Sequence, residues 1–194
     1  MHRNKPPGYY SSEGFGDVLR GVWLTPRKFF RRLDPEGGLV KPALLATAVL
    51  YLNLIFGELL RDVWLLEFNY GLLYAVLPGF VVSLVLAPLL IAGLAALVLM
   101  VLDGAPSRRK FGPVFRALGY STAIGVVLWI PYAPLAALTY GLYVATVAVK
   151  EMLFLTWKRA AVSTLLPLAA VLLIMLLLSG PDGAYRLLIN PPGE

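Results

Sequence analysis

The residues that could carry chemistry are few and far apart. The chain has one histidine, His2, and no cysteine. A Ser-His-Asp nucleophile or a histidine-based metal site would have to be assembled on that residue of the polar N-terminal tail. Thiolate metal sites and disulfide frameworks are excluded. No G-x-x-x-x-G-K-[ST] phosphate loop occurs; Gly37-Gly38 and Gly71 are isolated and read as turns. Three polar features remain. Asn53 sits in the middle of an apolar run, Tyr120 and Ser121 lie side by side in another, and Glu151 follows Lys150 and precedes Lys158 and Arg159. None of these sets joins a nucleophile to a base. No catalytic residue, cofactor or metal is therefore expected.

The elements that hold these residues are apolar. Hydrophobic residues make up 59% of the 194 and charged residues 14%, against roughly 45–50% and about 25% in soluble proteins. Mean hydropathy is +0.75. A disordered chain needs the opposite balance, and a water-soluble globule could not cover so much apolar surface. The sequence therefore reads as an all-α integral membrane protein. A membrane helix needs about 20 mainly apolar residues, and five stretches qualify: Pro42–Leu60, a second within Leu72–Leu102, Val114–Ile130, Leu135–Val149 and Ala161–Leu178. As a helix, the second would run roughly 46 Å, longer than the ~30 Å hydrocarbon core. Its start near Tyr74 and Pro78 is expected at the interface, with a kink at Pro88. Pro131 and Pro134 break the third stretch from the fourth.

The basic residues set the orientation. Eight Lys/Arg precede the first stretch, and the following segments hold one, four, none, three and one. This alternation fits five spans with the N-terminus in the cytoplasm and the C-terminus outside. Trp64, Tyr70, Tyr74, Trp129 and Tyr132 fall near the outer interface and Trp157 near the inner one, where amphipathic rings prefer to lie. Residues 1–30 lack the apolar core of a cleavable signal peptide. The net charge of +6 is juxtamembrane, so it points to insertion and anionic headgroups, at ~1 kcal/mol per cation, and not to nucleic acid.

The expected organisation is a disordered tail over 1–14, an interfacial amphipathic segment over 15–38, a five-helix membrane domain over 39–179 and a short external tail over 180–194. In the second segment Phe15, Val18, Leu19, Val22 and Trp23 recur at helical spacing. Thr25-Pro26 suits the N-cap and first position of another short helix. That helix sets Phe29 and Phe30 among Arg27, Lys28, Arg31 and Arg32. An apolar face flanked by cations predicts a helix in the headgroup plane, so Trp23 and residues 27–32 are the expected membrane-surface or partner contacts.

Charges inside a bilayer are functional candidates by default. Glu151 is read either as part of a polar site, pairing with Arg159 or Lys158 across a turn, or as a loop residue that meets water. Lys150, its neighbour, points about 100° away on a helix. Asn53 is read as an interhelical hydrogen bond in preference to a transport ligand. The scattered Ser, Thr, Gly and Ala residues of the spans are read as close-packing positions.

Three stretches, in order, resemble a known family. The first is Leu24-Thr25-Pro26-Arg27-Lys28-Phe29-Phe30-Arg31-Arg32-Leu33, followed by Gly37-Gly38 and Lys41-Pro42. The second is Phe115-Arg116-Ala117-Leu118-Gly119-Tyr120-Ser121 with Pro131 ten residues on, and the third is Lys150-Glu151 followed by Lys158-Arg159-Ala160. The chain resembles a prokaryotic member of the Yip domain family, named for Ypt/Rab-interacting membrane proteins. Leu153 and Phe154 stand where the family pattern often has His and Gly, and the Asp-Leu-Tyr-Gly-Pro motif of eukaryotic members is absent. The resemblance implies a five-span helical bundle in a prokaryotic cytoplasmic membrane. It carries over Tyr120, Ser121, Pro131, Glu151, Arg159 and Ala160, with Tyr120 and Ser121 bonding across helices, Pro131 fixing an outer hairpin, and Glu151 with Arg159 latching a cytoplasmic loop. The function expected is a non-enzymatic membrane scaffold that contacts lipid headgroups and other membrane proteins or copies of itself. The alternative is a small transporter or lipid-handling protein whose path is lined by Asn53, Pro88 and the Tyr120–Ser121 region.

Overall fold

An apolar chain in hydrocarbon must satisfy every backbone polar group within itself, and the helix does this locally. The computed structural model describes residues 14–65, 71–104, 108–130, 132–171 and 173, and all regular structure among them is helical. Two short helices, α1 (Phe15–Leu24) and α2 (Pro26–Arg32), precede α3 (Val40–Leu65) and α4 (Gly71–Asp103). Then come α5 (Arg108–Ser121), a 3-10 helix (Thr122–Val127), α6 (Ala133–Leu153) and α7 (residues 157–171). Three of these are long and apolar enough to cross a membrane, over Val40–Leu60, Val76–Asp103 and Ala133–Leu153.

Packing is carried by narrow stripes. On α4 the buried positions Ser83, Ala87, Ile91, Ala95 and Leu99 recur every four residues, the row that a helix presents to one neighbour. Small residues in that row let α3 approach closely. Tyr51 of α3 donates to the Val76 carbonyl of α4 at 2.9 Å. The rest of α4 exposes Val76, Leu77, Val81, Val85, Leu89 and others. So continuous an apolar surface suits lipid and not water. On α7 the stripe is Ala160, Ser163, Thr164 and Pro167, again one helix face.

The second stretch is a helix of 33 residues that contains Pro78 and Pro88, within a residue of the expected limits; neighbouring helices tolerate the missing donors at membrane depth. Three other expectations about the elements change. The third stretch, expected over Val114–Ile130, starts six residues earlier as α5 and leaves α geometry after Ser121. There Ser121 Oγ donates to the Leu118 carbonyl at 2.8 Å and Thr122 Oγ1 to the Gly119 carbonyl at 2.6 Å. Such back-bonding competes with helix propagation and favours the tighter 3-10 form. The fifth stretch begins at 157, ahead of Ala161, and is described to 171. The segment expected on the bilayer surface folds onto the bundle: Val18, Val22, Phe29, Phe30 and Leu33 are buried in the protein core. The same apolar face that would suit a membrane interface is satisfied by α5, the 3-10 helix and α6. The tails 1–13 and 174–194, and Pro131, lie outside the described residues.

Two close approaches fix this end of the bundle. A Cβ on Gly119 would lie 2.7 Å from Pro42 Cβ and 3.2 Å from its carbonyl oxygen. A Cβ on Gly21 would lie 2.7 Å from the Phe29 ring. Only a residue without a side chain lets α5 meet the start of α3 so closely. Gly119→Ala is expected to destabilise the protein by about 1–3 kcal/mol through overpacking, read as a lowered melting temperature in detergent. Gly93→Ala, whose Cβ meets nothing within 4 Å, is the control and should leave the melting temperature unchanged or raise it.

Candidate functional site

The second half of α6 is buried on all sides from Val144 to Val149. Glu151 follows in its last turn, 8% exposed. A carboxylate there opposes the helix dipole, whose negative end lies at the C-terminus, and burial adds a desolvation cost. Cations are therefore required. Lys150 Nζ, from the same turn, reaches Glu151 Oε1 at 2.9 Å; although the two residues diverge on the helix, the long lysine side chain folds back. The other two come from α2. Arg27 and Arg31 are four apart, hence on one face. Arg27 Nε donates to Oε1 at 3.2 Å and Arg31 Nε to Oε2 at 3.4 Å. The pairing expected with Arg159 or Lys158 is replaced by this one. α6 ends at Phe154 with φ 54°, a left-handed stop, and Arg159 instead faces a cavity of about 370 Å³ with Lys158, Leu102 and Ser163.

The two sides of this clamp are unequal. The two arginine side chains are 67% and 66% exposed, the Glu151 side chain 8%. Each arginine keeps N–H groups in contact with solvent while Glu151 is held inside. Lys28 and Arg32 also lie on the exposed side of α2, while Phe29 and Phe30 point inward. Phe30 is 1% exposed. The Phe29 ring packs edge-on against Phe30 at 5.1 Å and against Tyr120 at 5.7 Å. The contact set expected over residues 23–32 therefore divides: the cations face outward, and the aromatic rings serve as the floor that docks α2.

α1 is tied down next to it. Carbonyls in the last turn of a helix lack partners within it, and Tyr140 of α6 supplies one, donating to the Trp23 carbonyl at 2.6 Å. Trp23 Nε1 donates to the Ala123 carbonyl at 3.0 Å, so its half-buried ring braces α1 against the 3-10 helix. Thr25 occupies the N-cap position of α2 and Pro26 the first, as expected, but the Thr25 hydroxyl makes no capping bond.

The remaining sequence-derived residues scatter. Asn53 Nδ2 donates to the Val49 carbonyl of its own helix and the Gly125 carbonyl of the 3-10 helix, both at 2.7 Å; the interhelical bond expected of it is present. Ser121 bonds within its own turn, not across helices, because the neighbouring carbonyl is nearer than any partner helix. Tyr120 is buried and stacks edge-on with Phe29. Ala160 is fully buried, away from Glu151 in role. Sequence reading missed the link from Glu151 to α2, which spans 124 and 120 positions. The available signal was the i, i+4 arginine pair set beside an inward aromatic face.

Because the cations reach water and the carboxylate does not, their loss is unequal. Glu151→Gln should weaken docking of α2 by about 1 kcal/mol, since exposed arginines gain little from pairing. Arg27→Gln with Arg31→Gln should cost more, about 1–3 kcal/mol, because the buried carboxylate loses hydrogen-bond donors. Adding Glu151→Gln to that pair should restore part of the loss. Hydrogen exchange of α2 amides reads all three; equal and additive effects would refute the arrangement.

A comparison with curated proteins finds no match, and a comparison with solved structures finds none. The family model described as the Yip1 domain matches residues 20–178. That range takes in α2, the Glu151 clamp and the apolar helices, and the chain belongs to the Yip1 domain family of membrane proteins.

Proposed function

We propose that this chain is a non-enzymatic membrane scaffold that docks partner proteins on a folded basic platform at one end of its bundle. The observation that carries the reading is the Glu151 clamp. It holds α2 against α6 with Phe29 and Phe30 inside, so that Arg27, Lys28, Arg31 and Arg32 face outward together. Four cations on a pre-folded helix recognise an acidic partner surface without the cost of ordering a loose segment. The segments 103–116 and 150–160, rich in Lys/Arg by the charge alternation, would serve as further contacts for the partner.

The platform is cytoplasmic in this reading, and the chain crosses the membrane five times with its N-terminus inside. The part of α5 that follows Arg116, together with the 3-10 helix, would take part in the third crossing. α7, with the apolar run that follows it in sequence to Leu178, would be the fifth. The membrane is the cytoplasmic membrane of a prokaryote, as the resemblance of the opening motifs implies.

Topology is tested by single cysteines, clean here because the natural chain has none. A membrane-impermeant thiol reagent should label Lys28→Cys only after the cytoplasmic side is opened, and Tyr132→Cys in intact cells. Labelling of both from the same side would refute the five-span orientation. For the docking role, the protein is recovered from native membranes into nanodiscs and its companions are counted by mass spectrometry. A stoichiometric protein partner is expected, lost on Lys28→Glu with Arg32→Glu and kept on Gly93→Ala. Recovery of the protein alone, or of a partner indifferent to those charges, would overturn the scaffold reading.

A further inference from the structure

A second buried charge lies on the same side of the bundle, and the clamp does not use it. Arg116 of α5 is 5% exposed, and its Nε and Nη1 have no hydrogen-bond partner. A buried cation with unused donors is rare enough to require an explanation. Tyr120 and Asp34 lie beside the guanidinium, and Asp34 Oδ1 accepts from the Glu36 backbone N–H at 3.0 Å. Nε and Nη1 nevertheless remain unbonded. The turn over this group is built around it: a Cβ on Gly37 would come within 2.6 Å of the guanidinium carbon. A side chain there would push the guanidinium out of this position.

Arg116 is part of the wall of a cavity of about 570 Å³. Its polar lining is Arg116, Tyr120, Asp34 and Lys41. Its apolar lining includes an open part, with Phe15, Val40 and Leu44 exposed by 45%, 68% and 54%. Val40 is also where the first membrane-crossing stretch begins, so the cavity mouth stands at headgroup height. A guanidinium is well shaped for phosphate oxygens, and an apolar groove leading from it toward the bilayer suits an acyl chain.

We propose that this cavity binds one anionic glycerophospholipid, its phosphate on Arg116 and the start of an acyl chain along Phe15, Val40 and Leu44. Asp34 keeps the site from holding dense negative charge, so a phosphodiester is preferred over a multiply charged group. A free phosphate could use the same donors; the open apolar wall favours the lipid. The site stands apart from the α2 platform and does not depend on the docking role.

The full chain, purified in detergent, is titrated with phosphatidylglycerol or phosphatidylcholine of matched chains and followed by native mass spectrometry. Phosphatidylglycerol is expected to bind with one equivalent, at least tenfold more tightly than phosphatidylcholine, and to resist displacement by millimolar inorganic phosphate. Arg116→Gln should remove the tenfold preference, and Lys158→Gln, an equal loss of charge elsewhere, should keep it. Should Arg116→Gln fail to fold, Gly38→Glu decides: its Cβ meets nothing within 4 Å, and its carboxylate at the cavity mouth should repel the headgroup and abolish the preference. Equal affinity for the two lipids, displacement by inorganic phosphate, or a preference that survives Arg116→Gln or Gly38→Glu would overturn the proposal.

Discussion

The end of the bundle where α1 and α2 dock is organised by the need to neutralise a carboxylate that the fold buries at the wrong end of a helix. Glu151 faces both the C-terminal dipole of α6 and the desolvation of a packed interface. Lys150 alone does not use both carboxylate oxygens; Arg27 and Arg31 do. Their spacing lays α2 across α6 so that both Nε groups reach Glu151 while the two arginine side chains stay about two-thirds exposed. That placement turns Phe29 and Phe30 toward Tyr120 and leaves Lys28 and Arg32 outward. The position of α2 in turn brings Trp23, at the end of α1, within reach of Tyr140 and Ala123. A charge-pair requirement at one residue thus fixes the course of two helices.

Why an ion pair should hold this place, when a hydrophobic contact would be as stable, follows from what surrounds it. Apolar side chains of similar size are largely interchangeable in packing, so they discriminate weakly between registers. A carboxylate that accepts from only one arrangement of two arginines fixes the register of α2 on α6. The stabilisation itself is small, because the arginines are two-thirds exposed and screened. The clamp therefore contributes specificity more than stability, and its exposed half stays available to a partner.

The long apolar helices were legible in the sequence because their signal is local. Twenty uncharged residues in a row are visible without knowing any neighbour, and α3, α4 and α6 follow the expected limits to within a few residues. The turn at Thr25-Pro26 was legible for the same reason. What was hidden depends on partners far along the chain. An amphipathic face does not declare whether it will meet lipid or protein, so Phe29 and Phe30 were expected at the bilayer surface and are found in the core. Glu151 had cations nearby in sequence, Lys158 and Arg159, yet the left-handed stop at Phe154 turns the chain away and the distant pair on α2 wins. Ser121 and Thr122 carry a local signal that was readable but ambiguous: the same hydroxyls that suit interhelical bonds also bond back to their own turn, and the nearer acceptor prevails.

The two buried charges of this end make an instructive contrast. Glu151 and Arg116 are nearly equally enclosed, but the fold supplies Glu151 with three donors and leaves two nitrogens of Arg116 without an acceptor. Sequence pattern distinguishes them poorly, since each stands beside an apolar run with cations a few residues away. The difference lies in what the surrounding backbone does. Around Glu151 the chain closes, with α2 crossing above it. Around Arg116 a glycine turn borders a cavity whose lining is partly exposed hydrocarbon. Enclosure with donors supplied is the mark of an internal fastening. Enclosure with donors unused, beside a cavity at the start of a membrane span, is the mark of a place kept for something from outside the chain, and in a bilayer the abundant molecule that carries both an anion and an apolar tail is a lipid.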